Sequence, residues 1–182
     1  MASDKVKEIC IDVTASFGAE STEVAEAVNF NDTMQTVIAG SKIAVDKACE
    51  VLKAAGAKRA LLLPVSAPFH SSLMRPAAEK LKARLENVAF LAPQIPLLNN
   101  VDVQIETDPF RIKDSLYRQA FGPVRWVESV QAIPSKGFNV VIECGPGKIL
   151  SGMIKRINPE ITSGAVFDMG SLQESKTILQ NS

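Results

Sequence analysis

Hydrophobic positions recur at helical spacing twice in the N-terminal part of the chain. The first series predicts a helix that stops at Gly18, and the second predicts a helix that follows Ser41 as its N-cap and ends at Gly56. Residues 23–30 and 35–39 predict two strands around an Asn/Asp turn. The apolar positions of the two helices are Val6, Ile9, Cys10, Val13 and Phe17, then Ala44, Val45, Ala48, Cys49, Leu52 and Ala55.

An apolar strand predicted over residues 59–65 extends this order to α-β-β-α-β. The order matches a ferredoxin-like β-α-β-β-α-β unit whose first strand is missing. Such a unit leaves a sheet edge and a helix face without neighbours. We therefore predict an incomplete ferredoxin-like subdomain over residues 1–66.

Strands and helices alternate differently in residues 67–182, which we predict to form part of a second, larger subdomain. The pattern predicts helices over 72–86, from Pro109 and from about 123, and strands over 95–98 and 139–142. A last helix follows the second strand and reaches residue 156. This alternation favours a parallel sheet, and the fold class expected is α/β. The predicted apolar face of the first helix consists of Leu73, Ala77, Leu81 and Leu85.

Composition narrows the function classes. Lysine plus arginine and aspartate plus glutamate balance at 20 each, so no basic field favours nucleic acid or an anionic membrane. No apolar run reaches the roughly 20 residues that span a bilayer. The three separated cysteines predict small buried side chains rather than a disulfide framework or a zinc site. A reducing cytoplasm is the expected location.

His70 is the single histidine of the chain and lies in a predicted strand-to-helix loop. Ligands of α/β folds meet the carboxyl ends of strands, so His70 is a candidate catalytic residue, although an ordinary surface histidine fits the pattern too. Ser66, Ser71 and Ser72 flank it, and the last two are predicted helix caps. No G-x-S-x-G elbow occurs in the 182 residues, which disfavours an autonomous serine hydrolase.

The segment Gly145-Pro146-Gly147-Lys148 follows a predicted strand and precedes a helix. A glycine loop before a helix N-terminus favours anions, but the spacing differs from the phosphate loop of nucleotide-binding proteins. A tight strand-to-helix turn explains the glycines equally well. The residues alone leave both readings open.

Several segments, in order, resemble one family closely. Together they are similar to the acyltransferases that move malonyl from coenzyme A (CoA) to acyl carrier protein in bacterial fatty-acid synthesis. The resemblance implies an α/β-hydrolase-like large subdomain and a ferredoxin-like small one, of which this chain holds the C-terminal portion. The segments are 28–32 (VNFND), 53–60 (KAAGAKRA), 63–70 (LPVSAPFH), 97–103 (LLNNVDV), 118–126 (RQAFGPVRW) and 142–150 (IECGPGKIL).

The resemblance implies ping-pong acyl transfer through a serine in an N-terminal G-H-S-x-G elbow. His70 corresponds to the histidine that acts as base, and the main-chain carbonyl of Gln119 to the group that orients it. The implied partners are malonyl-CoA and acyl carrier protein, and no metal or cofactor is expected because the CoA thioester is a substrate.

The resemblance also implies a CoA-binding set. Asn29, Asn31 and Gln35 match positions near the pantetheine and nucleotide, and Lys58 and Arg59 match a basic pair that faces CoA phosphates. Two further residues are compared with the family pattern. Met34 replaces a usual glycine and is expected to alter the turn and crowd the CoA groove, and Phe69, directly before the histidine, resembles malonyl-selective members.

The family's serine elbow and malonyl-binding arginine match no segment of this chain and are expected to precede Met1. We therefore expect the chain to act as part of the transacylase, inactive without its N-terminal half. A non-catalytic fragment that binds CoA or acyl carrier protein is the alternative.

Overall fold

Helices and short sheets alternate along the chain in the computed structural model, which describes residues 1–181. Ser182, the last residue of the predicted second subdomain, lies outside the described residues. The chain divides into two compact units, Met1–Trp126 and the residues from Val127 onward. The predicted boundary between residues 66 and 67 separates two subdomains rather than these compact units, and it stays a prediction.

The first unit opens with the predicted α-β-β-α order. The elements are α1 (Ser3–Ala15), β1 (Ala25–Asp32), β2 (Gln35–Gly40) and α2 (Lys42–Ala54), and β1 pairs antiparallel with β2. Ser41 occupies the N-cap position of α2, but its hydroxyl accepts no hydrogen bond from a helix N–H and instead donates to the Glu23 carboxylate.

Both helices bury their apolar stripes against the hairpin. Ala44 and Ala48 are fully buried, and such small side chains let α2 approach its neighbours closely. Thr14 joins α1 to β1, because its hydroxyl donates to the carbonyl of Ala25 and accepts from the same residue's N–H. The buried core of this part consists of Val6, Ile9, Cys10, Val13, Ala25, Ala44, Ala48 and Leu52.

The strand predicted over residues 59–65 is wrong. These residues have no regular secondary structure, and Leu61 is 71% exposed. A strand is stable only when its main chain pairs with a neighbour, and no strand among residues 1–181 runs alongside this segment. The strand predicted over 95–98 shortens to β3 (Leu97–Leu98), which pairs with β4 (Ile105–Glu106).

The predicted helix over 72–86 begins with a 3-10 turn, Ser72–Met74, and continues as α3 (Arg75–Glu86). Its predicted apolar face is wrong, since Leu73, Ala77 and Leu81 are exposed while Ala78 is buried. The helix packs on the next one along the chain, and polar contacts accompany this packing. Glu79 accepts a hydrogen bond of 2.5 Å from the hydroxyl of Tyr117, on α4 (Pro109–Gln119), and the Lys82 ammonium lies 5.1 Å from the same ring.

The second unit contains a parallel pair of strands, which fits the predicted parallel sheet, although only the first of the two strands was predicted. The unit begins within α5 (Trp126–Ala132), and the chain continues through β5 (Val140–Cys144), α6 (Ile149–Ile157), β6 (Thr162–Val166) and α7 (Met169–Gln180). β5 pairs parallel with β6 in a continuous register, and α7 packs on β6. The C-terminal segment, for which the sequence yielded no prediction, supplies one strand and one helix.

The cysteines differ in exposure, which corrects the prediction of three buried side chains. Cys10 is buried, Cys49 is half-buried and Cys144 is exposed, and all three are free thiols. Cys144 is exposed because it is the last residue of β5, where the chain leaves the sheet. Across residues 1–181, no helix is long and apolar enough to cross a membrane.

Candidate active site

His70 lies in a turn between Pro68 and the 3-10 helix and is half-buried. Its backbone φ is +67°, in the left-handed region that residues with a Cβ rarely adopt. The turn is closed by Ser71, whose N–H and hydroxyl both donate to the carbonyl of Pro68, at 3.2 and 2.6 Å. An unusual backbone conformation held by local hydrogen bonds is typical of functional sites.

The imidazole of His70 is bound to the main chain of α4. Its Nδ1 lies 2.9 Å from the carbonyl oxygen of Gln119, the last residue of that helix. A carbonyl only accepts, so Nδ1 carries the proton and Nε2 of the neutral ring carries the lone pair. The final carbonyls of a helix have no partner within the helix, and the negative end of the helix dipole favours a donor there.

Neighbouring residues fix the Gln119 carbonyl in place. The side-chain amide of Gln119 donates to the carbonyls of Gly122 and Pro123, at 3.1 and 3.2 Å. Gly122 is required here, since a Cβ at this position would lie 2.7 Å from the carbonyl oxygen of Arg118. Arg118 in turn binds Asp102 and Asp114 with its guanidinium.

The serines beside His70 are bound elsewhere. The Ser71 hydroxyl donates to Pro68, and the Ser72 hydroxyl donates to Glu26 at 2.6 Å. Ser66 is exposed, and none of the three hydroxyls is hydrogen-bonded to His70 among residues 1–181. No neighbouring serine hydroxyl is therefore placed for activation by His70, which disfavours the autonomous serine hydrolase.

The structure brings three of the predicted CoA-binding residues together on one hairpin. Asn29 and Asn31 lie on β1 and are half-buried, and Gln35 opens β2 and is exposed. Met34 forms the turn without a left-handed backbone, and its N–H donates to the Asp32 carboxylate at 2.8 Å. The substitution of the family's usual glycine is therefore accommodated.

Lys58 and Arg59 lie apart from that hairpin in the chain, just after α2. Both side chains are exposed, and neither forms a side-chain hydrogen bond or ion pair with the described residues. A joint contact of these two side chains and the hairpin amides with one CoA molecule, and the phosphate contacts themselves, stay predictions.

Sequence reasoning missed Glu26, whose carboxylate accepts from both the N–H and the hydroxyl of Ser72. It also missed the bidentate pair of Arg118 with Asp102. A single glutamate in a strand is typical of a solvated position, so the local sequence does not indicate the contact of Glu26 with Ser72. The sequence around Asp102 likewise does not indicate its pairing with Arg118.

The glycine loop of the second unit is not shaped to receive an anion. The carboxylate of Glu143 accepts from the N–H and the hydroxyl of Ser151, at 2.8 and 3.0 Å, and so occupies the N-terminus of α6. Burial raises the pKa of Glu143, but hydrogen bonds from Ser151 and neighbouring main-chain amides outweigh it and hold the pKa below its ordinary value. Negative charge already fills the position that a phosphate would take.

No group of three or more histidine, cysteine or acidic side chains within residues 1–181 is arranged to hold a metal ion. Within the first unit, the hydrogen bond between His70 and Gln119 makes His70 a candidate for acid–base chemistry.

Two of three comparisons with known proteins identify relatives of this chain. No protein-family model matches the chain. It is 48% identical over 155 residues to the malonyl CoA-acyl carrier protein transacylase of Salmonella typhimurium, which is 85% of this chain and 50% of the relative. The enzyme of the same name from Bacillus subtilis is 38% identical over 173 residues, 95% of this chain and 53% of the relative.

Solved structures agree with these relatives. The acyl-carrier-protein S-malonyltransferase of Burkholderia pseudomallei is 52% identical with a TM-score of 0.90, over 96% of this chain and 55% of that protein. A malonyl-transacylase solved in complex with a type II PKS acyl-carrier protein is 43% identical with a TM-score of 0.91, over 100% of this chain and 56% of that one. The chain spans about half the length of the relatives it matches. Over that span, it belongs to the malonyl CoA-acyl carrier protein transacylase family.

Proposed function

We propose that this chain supplies the histidine-bearing part of a malonyl-CoA:acyl carrier protein transacylase, a cytoplasmic enzyme of fatty-acid synthesis. The observation that carries the proposal is the hydrogen bond of 2.9 Å between Nδ1 of His70 and the carbonyl of Gln119. It leaves Nε2 with a lone pair in a half-buried position, which is what a general base requires.

In the proposed reaction, Nε2 of His70 takes the proton of a serine hydroxyl supplied by residues outside this chain. The serine oxygen attacks the malonyl thioester, and the protonated imidazole returns the proton to the departing CoA sulfur. The phosphopantetheine thiol of acyl carrier protein then gives its proton to Nε2 and attacks the malonyl-serine ester. The histidine finally returns the proton to the serine oxygen, which leaves malonyl-acyl carrier protein and a free serine hydroxyl. No cofactor takes part, because the CoA thioester is itself the substrate.

The Gln119 carbonyl performs the orienting role in this scheme. As Nε2 gains a proton, the ring becomes a cation, and its Nδ1–H donates more strongly to the carbonyl. The C-terminal end of α4 adds a favourable partial negative charge. A main-chain acceptor thus stabilises the imidazolium as a buried carboxylate does in serine proteases.

For CoA, we propose that Asn29, Asn31 and Gln35 hydrogen-bond the pantetheine and nucleotide. Their amides combine donors and acceptors on one hairpin, as polar linkages of this kind require. Lys58 and Arg59 are assigned to the phosphates, for which their exposed cationic groups are suited.

An exposed apolar segment supports the dependence on residues outside this chain. Leu61, Leu62 and Leu63 are 71%, 64% and 55% exposed, and consecutive exposed leucines are unusual in a protein that functions alone. The rest of a transacylase, about half its length, is the natural cover for this segment. The isolated chain should accordingly unfold at low denaturant concentration.

The test joins this chain to the part of the Salmonella relative that it does not match. The fused protein is incubated with malonyl-CoA and acyl carrier protein, and the intact mass of the carrier reports transfer. We expect malonyl-carrier from the fused protein and a loss of about 100-fold or more for its His70→Ala variant. Normal transfer by the variant, or none by a folded fusion, overturns the proposal.

The unfused chain is used in the second part of this test. We expect no malonyl adduct on the chain after incubation with malonyl-CoA, because its serines beside His70 donate to other acceptors. A stable adduct would instead support an autonomous serine enzyme. Heat of binding to CoA without any transfer in the fusion would support the non-catalytic alternative.

A further inference from the structure

Glu26 on β1 is bound to the residue two positions after His70. Its Oε2 accepts from the N–H of Ser72 at 2.8 Å, and its Oε1 accepts from the Ser72 hydroxyl at 2.6 Å. A carboxylate that receives two hydrogen bonds from one residue fixes both its position and its orientation. The two residues are 46 positions apart, so this contact ties the histidine turn to a different part of the fold.

The turn needs such an anchor. His70 has a φ of +67°, and residues with a Cβ keep this conformation only where surrounding contacts hold it. The contacts of Ser71 with Pro68 lie within the turn itself. The Glu26 carboxylate instead holds the turn from a paired strand, where Glu26 lies opposite Ala39.

The same strand also positions the partner of His70. The N–H of Val124 donates to the carbonyl of Val28 at 2.8 Å, and the N–H of Phe30 donates to the carbonyl of Val124 at 3.0 Å. Val124 follows Gln119 closely, and the Gln119 side chain is bound to the intervening residues. Both sides of the His70–Gln119 hydrogen bond are thus attached to β1.

We propose that Glu26 is the positioning residue of the candidate active site, which holds His70 so that Nδ1 donates to the Gln119 carbonyl and Nε2 keeps its lone pair. Its importance for catalysis rests on the proposed function, but the positioning itself is a property of the folded chain. Removing the carboxylate frees the Ser72 N–H and lets His70 leave the left-handed conformation. The ring then loses its fixed partner.

The test uses the single histidine of the chain. In the uniformly ¹⁵N-labelled chain, a long-range ¹H–¹⁵N spectrum shows only the two ring nitrogens of His70. At about pH 8, where an imidazole is neutral, the chemical shifts give the ratio of Nδ1–H to Nε2–H tautomers. We expect Nδ1–H to dominate in the unchanged protein. In Glu26→Ala the ratio should fall about tenfold, the order by which a residue with a Cβ disfavours the left-handed backbone.

The matched control is Asp168→Ala. Asp168 caps α7 in the second unit and, like Glu26, accepts from both the N–H and the hydroxyl of one serine, Ser171. Asp168→Ala removes a carboxylate with the same pair of serine contacts and should leave the His70 tautomer ratio unchanged. A general loss of stability is thereby separated from loss of positioning.

Two milder variants decide the matter if Glu26→Ala does not fold. Glu26→Gln keeps one acceptor oxygen, and Ser72→Ala keeps the main-chain bond, so each should lower the ratio by a smaller factor than the alanine variant. An unchanged ratio in folded Glu26→Gln and Ser72→Ala overturns the proposal, as does an Nε2–H tautomer in the unchanged protein. No acyl transfer is measured, so these outcomes are independent of the proposed function.

Discussion

The guanidinium of Arg118 binds both carboxylate oxygens of Asp102. Nη1 lies 2.6 Å from Oδ1, and Nη2 lies 2.7 Å from Oδ2. Arg118 directly precedes Gln119, so this pair fixes the end of α4 against the loop that follows β3. The candidate active site therefore depends on an ion pair that does not touch the histidine.

The first prediction concerns Asp102→Asn. The hydrogen bond from Arg118 holds the pKa of Asp102 below its ordinary value, so the pair stabilises the fold above the unfolded pKa of about 3.9 and loses this effect as pH falls through the folded pKa. The variant should lower the free energy of unfolding by about 1 kcal/mol at neutral pH, a modest value because both groups are partly solvated. Urea denaturation at neutral pH and at successively lower pH measures the difference, which should shrink as the Asp102 carboxylate becomes protonated in the folded protein.

Asp4→Asn is the matched control for that experiment. Asp4 pairs with Lys7 at 3.4 Å, and its side chain is 96% exposed. Exposed pairs contribute little, so this variant should lower the free energy of unfolding by less than Asp102→Asn does at neutral pH. Equal effects of the two asparagine variants at neutral pH would contradict the role of the Arg118 pair.

The second prediction concerns Gly40, where β2 ends. A Cβ at this position would lie 1.9 Å from the carbonyl oxygen of Val24, which also accepts from the N–H of Ser41. Gly40→Ala should therefore lower the free energy of unfolding by about 2 kcal/mol, as overpacking against rigid backbone does. Thermal and denaturant unfolding followed by circular dichroism provide the measurement.

Gly152→Ala is the comparison for Gly40. Gly152 lies within α6, and a Cβ there meets nothing closer than an Arg156 side-chain nitrogen at 3.9 Å. Alanine should stabilise this helix by about 0.5–1 kcal/mol. Destabilisation by Gly152→Ala, or neutrality of Gly40→Ala, would show that the packing around these glycines differs from that described.

The third prediction concerns thiol reactivity. Burial raises the pKa of the Cys10 thiol to about 11, with smaller contributions from Cys49 and Glu26, whereas Cys144 is exposed. The thiolate is the reactive form, so iodoacetamide at about pH 8 should modify Cys144 first and Cys10 only on unfolding. Peptide mass mapping over a time course measures each site. Early alkylation of Cys10 in folded protein would contradict the buried position.

The fourth prediction concerns the glycine loop before α6. Because the Glu143 carboxylate already accepts from Ser151, inorganic phosphate should cause no saturable shift of the Gly147 and Lys148 amide signals. A ¹H–¹⁵N titration with phosphate at constant ionic strength is the measurement. A saturating shift confined to this loop would mean that the carboxylate is displaced and an anion site exists.

Local patterns predicted the elements whose contacts are local. The helical spacing of Val6, Ile9 and Val13 predicted α1, and a clear turn separated the two strands of the hairpin. The predicted strand through Leu61 failed, because strand formation depends on pairing that the local sequence does not encode. The apolar face of α3 failed for a related reason, since the side of a helix that faces inward depends on the element that packs on it, here α4.

The candidate site was predicted in part. His70 stood out from the loop that contains it, but Gln119 lies 49 positions away, and only the family resemblance named it as the partner. Glu26 carried no signal at all, because nothing in its strand indicates a bond to Ser72. Long-range hydrogen bonds of this kind depend on the tertiary fold and not on spacing along the chain.

The acceptor for the histidine belongs to the peptide backbone, and this has a genetic consequence. Every amino-acid substitution at position 119 leaves the carbonyl oxygen in the chain, so none of them deletes the partner of His70. An alanine scan would pass over this group while detecting His70 itself. The most protected atom of the site is the one that side-chain mutagenesis does not remove.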